Sequence, residues 1–130
     1  MKNHPQEPDP GLPVAWALTQ ALDISRDIGV RGGETEALNE TGILHRVTGN
    51  LAQAEACHQQ ALDLARAIAS PIDEAHALAG LGRCALAVGR AAQAADLLRQ
   101  ALEIFQRIGA AGAGDVAREL AALTEAGPPA

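Results

Sequence analysis

The chain of 130 residues has a formal net charge of −6 at pH 7, and its ten basic residues are scattered among sixteen acidic ones, which argues against nucleic-acid binding through clustered cations. Only two residues are aromatic, Trp16 and Phe105, whereas 29 are alanine. Since the faces of a β-sandwich need β-branched and aromatic side chains, and alanine is the best helix former, this composition predicts an all-α protein.

Prolines and glycines divide the chain into six predicted helices. Residues 1–12 and 127–130 are rich in proline and poor in large apolar side chains, so both tails are predicted to be disordered. Ser70, Pro71 and Asp73 supply a helix N-cap, a proline in the first turn and an early acidic residue. The predicted helices span 13–28, 34–48, 51–68, 71–88, 91–108 and 114–126.

An internal repeat determines how these helices are arranged. Three similar segments, QALDISRDIG, QALDLARAIA and QALEIFQRIG, begin at positions 20, 60 and 100, and residues 31–70 are identical to residues 71–110 at 12 of 40 positions. Gly42 and Gly82 recur in the middle of a helix, where glycine is about 1 kcal/mol less favourable than alanine. We therefore predict that a partner helix approaches closely there, and that helical hairpins stack side by side.

The pattern of small and large residues resembles the tetratricopeptide repeat. The resemblance implies a short superhelix, or solenoid, of about six antiparallel helices over residues 13–126. Its units are a half repeat at 13–30, full repeats at 31–70 and 71–110, and a half repeat at 111–126. The 40-residue period is similar to the repeat arrays of bacterial signalling ATPases and antibiotic-pathway regulators, which implies a role in bacterial regulation. The residues that match are Leu38, Gly42, Ala54 and Ala61 in one unit and Leu78, Leu81, Gly82, Ala94 and Ala101 in the next.

In such solenoids the first helix of each unit lines the concave face. Asn39 is the most suggestive residue there, because its amide offers a donor and an acceptor that suit an extended peptide backbone. Ala79 stands at the corresponding place in the second unit, so the amide is not repeated. The alternative is that these side chains are simply solvated. The residues predicted to bind a peptide or protein are Asn39, Arg83, Glu36, Glu40, Ile43, Arg46, His76 and Leu86.

Two cysteines and two histidines allow the hypothesis of a metal site. However, His45, Cys57, His58 and Cys84 lack the short ligand spacings of a zinc site, and core packing explains them better. We therefore expect no metal and no cofactor. Nucleophile and metallopeptidase motifs are absent, so we expect no catalytic residues and predict that the protein is not an enzyme.

The sequence thus predicts a module that binds a protein or peptide without catalysis. One alternative is an oligomerisation or capping module that docks through the first helix, with Trp16 and Leu18 on the docking end, as a homo-oligomer or on a larger repeat protein. Another is a detached sensor domain of a transcriptional regulator, with no nucleic-acid binding by this chain alone. No signal peptide or membrane segment is recognisable, so a cytoplasmic location is expected.

Overall fold

The computed structural model describes residues 14–27 and 31–126, and the two tails predicted to be disordered lie outside them. The described residues form helices and turns, with no strand, which confirms the all-α prediction. None of the described helices is both long and apolar enough to cross a membrane. The helices are α1 (Val14–Asp27), α2 (Arg31–Val47), α3 (Leu51–Ala67), α4 (Pro71–Ala87), α5 (Ala91–Ile108) and α6 (Gly112–Ala126).

Two helices begin earlier than the sequence predicts. Helix α2 starts at Arg31 instead of 34, and α6 starts at Gly112 instead of 114. Their glycines were interpreted as breaks, but glycine is less favourable than alanine in a helix by only about 1 kcal/mol, which is too little to exclude it from a first turn. At Gly112 a tertiary contact also contributes, because a Cβ on this residue would lie 3.0 Å from the Phe105 ring.

Four successive helices end in the same left-handed turn. Gly49, Gly89 and Gly109 have φ values of 86°, 81° and 67°, and Ala69 adopts 54° at the corresponding place. In each turn the next residue donates its N–H to the carbonyl five residues earlier, at 2.7–2.9 Å, which is the six-to-one bond of a Schellman motif. These short connections place each helix antiparallel to the one before it.

The helices stack in chain order and form a solenoid. Each packs against the next, and α2 also packs against α4, so the first helices of adjacent units lie side by side. The core is built from small and medium side chains, the largest fully buried ones being Phe105, Leu78 and Leu98. The alanines that recur in the second helices are completely buried: Ala54, Ala61, Ala94 and Ala101.

The recurring mid-helix glycines allow close packing, as predicted. A Cβ on Gly42 would lie 2.6 Å from the His58 ring, and one on Gly82 would lie 3.0 Å from Leu98. His58 and Leu98 occupy the same position in the two units, forty residues apart. The first helix of each unit therefore contacts the second through an equivalent glycine.

The start of α4 differs from the prediction in one detail. Ser70 is the N-cap residue and Pro71 follows it, but the Ser70 hydroxyl makes no hydrogen bond to the backbone. It donates instead to Asp73 Oδ2, at 2.7 Å. The Ser70 hydroxyl is therefore bonded to the Asp73 carboxylate and does not cap the helix backbone.

Candidate functional site

A cleft of about 420 Å³ opens between α2 and α4, and we call it the α2–α4 cleft. Its volume lies within the range of ligand sites, roughly 300–1,000 Å³. Seven of the eight side chains predicted to bind a peptide line it, and the eighth, Leu86, is exposed but does not line it. The lining also includes four residues not predicted to bind: His58, Ile72, Asp73 and Gly80.

Helical spacing brings the α2 side chains to one wall of the cleft. Glu36, Asn39, Ile43 and Arg46 are three or four residues apart, so they share one face of α2. The α4 wall carries residues from Ile72 to Arg83. Because α2 and α4 are separated by one antiparallel helix, they run in the same direction.

His58, from α3, fills the space between these two walls. It is 1% exposed, and the Cβ positions of Gly42 and Gly80 would lie 2.6 Å and 2.4 Å from its ring. Its Nδ1 donates to Asn39 Oδ1 at 2.9 Å. The oxygen of Asn39 is therefore engaged within the chain, and only its amide nitrogen lacks a hydrogen-bond partner among the described residues.

Burial, together with the smaller effect of the nearby Arg46 and Arg83 charges, lowers the pKa of His58 from 6.5 to about 4. The imidazole is therefore neutral at pH 7, and with the proton on Nδ1 the other nitrogen is an acceptor. This Nε2 is buried and has no hydrogen-bond partner among the described residues. The sequence does carry a signal for His58, because the same position of the other unit is Leu98. A polar side chain at a position that is apolar in the other repeat could have identified His58 as a residue of the cleft.

Arg83 is held by α6. Its Nε and Nη2 donate to the two carboxylate oxygens of Glu119 at 2.8 Å and 2.6 Å, a bidentate pair between residues 36 positions apart. The hydrogen bond from Arg83 lowers the pKa of Glu119, and the same bond raises the pKa of Arg83. Arg83 thus lines the cleft as predicted, but its charge is already compensated by this chain.

Arg46 has no such ion-pair partner within the described helices. Its Nε is buried without a hydrogen bond among the described residues, although the residue lines the cleft. The cleft therefore contains one buried donor, Arg46 Nε, and one buried acceptor, His58 Nε2, that the rest of the described chain leaves unsatisfied. Leaving a buried polar group without a partner is unfavourable by about 1–3 kcal/mol, so each of these two atoms lowers the stability of the fold.

His76, which was also predicted to lie on the concave face, is an exposed residue of the α4 wall. Its ring packs edge-on against Phe105, with 5.1 Å between the centroids and 72° between the planes. The contact connects the cleft to the aromatic residue that anchors α6.

A tetratricopeptide repeat family model matches residues 33–107. The chain belongs to the tetratricopeptide repeat family. The match covers α3 and α4 completely and nearly all of α2 and α5, so both walls of the cleft belong to tetratricopeptide repeats. No curated protein is significantly similar to the chain in sequence.

The predicted docking end of this tetratricopeptide repeat chain is partly accessible. Helix α1 packs chiefly on α2. Trp16 and Leu18 are half-buried and Val14 is 65% exposed. The geometry thus leaves some apolar surface on α1, and docking through it stays a prediction.

The cysteines and histidines interpreted as core residues lie at different depths. Cys84 and His58 are buried, whereas Cys57 and His45 are intermediate. Both thiols are free, and burial raises the pKa of each. Within residues 14–27 and 31–126, no three histidine, cysteine or acidic side chains converge as metal ligands would.

Acid is expected to destabilise the repeats through His58. Its pKa is about 4 when folded and 6.5 when unfolded, so from pH 6.5 down to 4 the unfolded chain binds a proton that the folded chain does not. The free energy of unfolding should therefore fall across this window, by up to about 3 kcal/mol at its lower end.

Urea unfolding at pH 7, 5.5 and 4.5 measures this effect. The matched variant is His58→Leu, because leucine stands at the equivalent position of the second repeat. It should lose less stability than the wild type between pH 7 and 4.5. If the free energy of unfolding falls equally with pH in the two proteins, the pKa of His58 is not lowered by folding and the prediction is wrong.

Proposed function

We propose that this chain is a non-catalytic scaffold that binds a peptide segment of a partner protein in the α2–α4 cleft. Tetratricopeptide repeats generally mediate protein–protein interactions, and the family membership supports that class of function. A cleft built on packed helices is preformed, so little ordering entropy is lost when a peptide binds. By the resemblance of its 40-residue units, we place this binding in bacterial regulation, in the cytoplasm.

The observation that carries the proposal is apolar surface exposed inside the cleft. Ile43 is 42% exposed and Ile72 is 38% exposed, and they lie on opposite walls. Exposed apolar side chains within a concave site rimmed by polar groups are typical of interaction surfaces. Catalysis gains no comparable support, because the buried polar groups of the cleft lack the nucleophile and base pair that acyl or phosphoryl transfer needs.

A matched pair of variants tests the cleft. Ile43→Glu places a charge in the cleft, whereas Ile108→Glu makes the same change at the end of α5, where the isoleucine is 41% exposed. Partners captured by the immobilised wild-type chain from extracts of its native cell should fall at least tenfold for Ile43→Glu and stay unchanged for Ile108→Glu. Circular dichroism and thermal unfolding confirm that both variants fold.

The same experiment separates the alternative in which α1 is the docking end. If Ile43→Glu captures the same partners as the wild type and Trp16→Glu loses them, binding occurs through α1 and the cleft proposal fails. The exposed Val14 and the half-buried Trp16 are what support this second candidate. A role as the sensor part of a transcriptional regulator is compatible with either surface.

A further inference from the structure

The charges of the α2–α4 cleft are sorted along its length. On α2, Glu36 and Glu40 precede Arg46, and on α4, Asp73 precedes Arg83. Because the two helices run in the same direction, the acidic residues share one end of the cleft and the arginines share the other. Glu36 and Arg46 are ten residues apart, which is about 15 Å along a helix.

Some of the charged side chains in the cleft are already paired within the chain, and others are not. Arg83 is neutralised by Glu119. No base pairs with Glu36 or Glu40 in the part of the chain that the structure describes, and both are exposed. Arg46 makes no ion pair there, although its charge helps Arg83 to lower the pKa of Glu119, and its Nε is buried and unsatisfied. A ligand that complements the cleft therefore needs a positive group at one end and a negative group at the other.

The middle of the cleft differs from its charged ends, because its accessible surface is apolar. His58 is 1% exposed and its Nε2 is buried, so it presents no accessible hydrogen-bonding group, whereas Ile43 and Ile72 supply exposed apolar surface on the two walls. Apolar side chains of a peptide in the cleft can contact both isoleucines. An extended chain advances about 3.3 Å per residue, so four or five residues span the 15 Å between the charged ends.

We propose that the α2–α4 cleft binds an extended peptide segment of about five residues with a basic side chain at Glu36 and Glu40, apolar residues between Ile43 and Ile72, and an acidic side chain at Arg46. This inference rests on the proposed function and adds the chemistry of the partner. It differs from recognition of a free chain end, because both charges come from side chains.

Three blocked synthetic peptides test the arrangement of charge. The probes are acetyl-Lys-Leu-Ala-Leu-Glu-amide and its two relatives with lysine at both ends or glutamate at both ends, titrated into the full chain at low ionic strength. The peptide with opposite charges should bind about fivefold more tightly than either relative, and the advantage should shrink at high salt, which screens these exposed pairs. Equal affinities, a different order, or no binding by any of the three would overturn the inference.

Charge-reversal variants locate the contacts. The double variant Glu36→Arg/Glu40→Arg should transfer the preference to the peptide with two glutamates, since reversing one of the two glutamates alone would leave that end without net positive charge. Arg46→Glu should transfer the preference to the peptide with two lysines, and each transfer should amount to about fivefold. Glu103→Arg, an exposed glutamate on α5, is the matched control and should leave the order unchanged. A preference that survives both cleft reversals would also overturn the inference.

The outcomes distinguish this inference from the function on which it rests. If all three peptides bind equally and Ile43→Glu abolishes their binding, the cleft binds peptides but does not read their charge. If none binds and Ile43→Glu captures the same cellular partners as the wild type, the proposed function fails as well.

Discussion

Replacing Phe105 with alanine is expected to lower the free energy of unfolding by about 3–4 kcal/mol, the largest effect of any single truncation in this chain. Phe105 is 1% exposed and is the largest of the fully buried side chains. Its ring contacts the backbone of α6 at Gly112 and the imidazole of His76 on α4. The core cluster to which Phe105 belongs also contains five alanines, whose side chains have no rotamers with which to fill a cavity.

Chemical denaturation of the wild type and the variant measures this loss. Ile108→Ala, three residues further along α5 and 41% exposed, is the matched control and should change the stability by less than about 1 kcal/mol. Hydrogen exchange should also accelerate in α6, since this helix packs on α5 around the lost ring. A loss below about 1 kcal/mol for Phe105→Ala would show that the ring does not anchor α6.

Replacing Gly80 with alanine is expected to destabilise the fold by about 2–3 kcal/mol, although alanine favours a helix by about 1 kcal/mol over glycine. The new Cβ would lie 2.4 Å from Cε1 and Nδ1 of His58. The ring has little room to retreat, because Gly42 abuts it on the other helix and Asn39 holds its Nδ1. The steric clash therefore outweighs the gain in helix propensity.

The matched control for Gly80→Ala is the same change at Gly114. This glycine lies in α6, and the nearest atom to its Cβ position is Arg118 Nη1 at 3.8 Å. Gly114→Ala should stabilise the chain by about 0.5–1 kcal/mol in the same denaturation experiment. If Gly80→Ala also stabilises the chain, the His58 ring can move away from α4 and the predicted steric clash does not occur. In a chain that already carries His58→Ala, Gly80→Ala should lower the free energy of unfolding much less than it does in the wild type, since residues 58 and 80 are in direct contact.

The six helices and the pairing of the repeats were predictable because their signals are local. Proline at 71 and glycine at 49, 89 and 109 mark helix ends through backbone conformations that few other residues adopt. The equivalent glycines 42 and 82 predict close helix contacts from their repeated position alone, and both pack against the second helix of their own unit. Helical spacing likewise brought most of the predicted concave residues to one cleft.

The environment of each cleft residue was not predictable in the same way. Asn39 was interpreted as a group free to hold a peptide, yet its oxygen bonds His58, nineteen residues away. Arg83 was interpreted as a binding residue, yet it pairs with Glu119 on the last helix. These contacts depend on the rotation and spacing of helices that are distant in sequence, and a periodic pattern contains neither quantity.

The amino-acid sequence alone therefore determined that this protein is a helical repeat, where its helices begin and end to within about three residues, and which faces are apolar. The tertiary structure decided which polar atoms in the α2–α4 cleft have a hydrogen-bond partner among the described residues and which have none. The reason is that helix formation and amphipathicity depend on neighbours three or four residues apart, whereas hydrogen bonds and ion pairs across a solenoid require side chains from three helices to meet within about 3 Å.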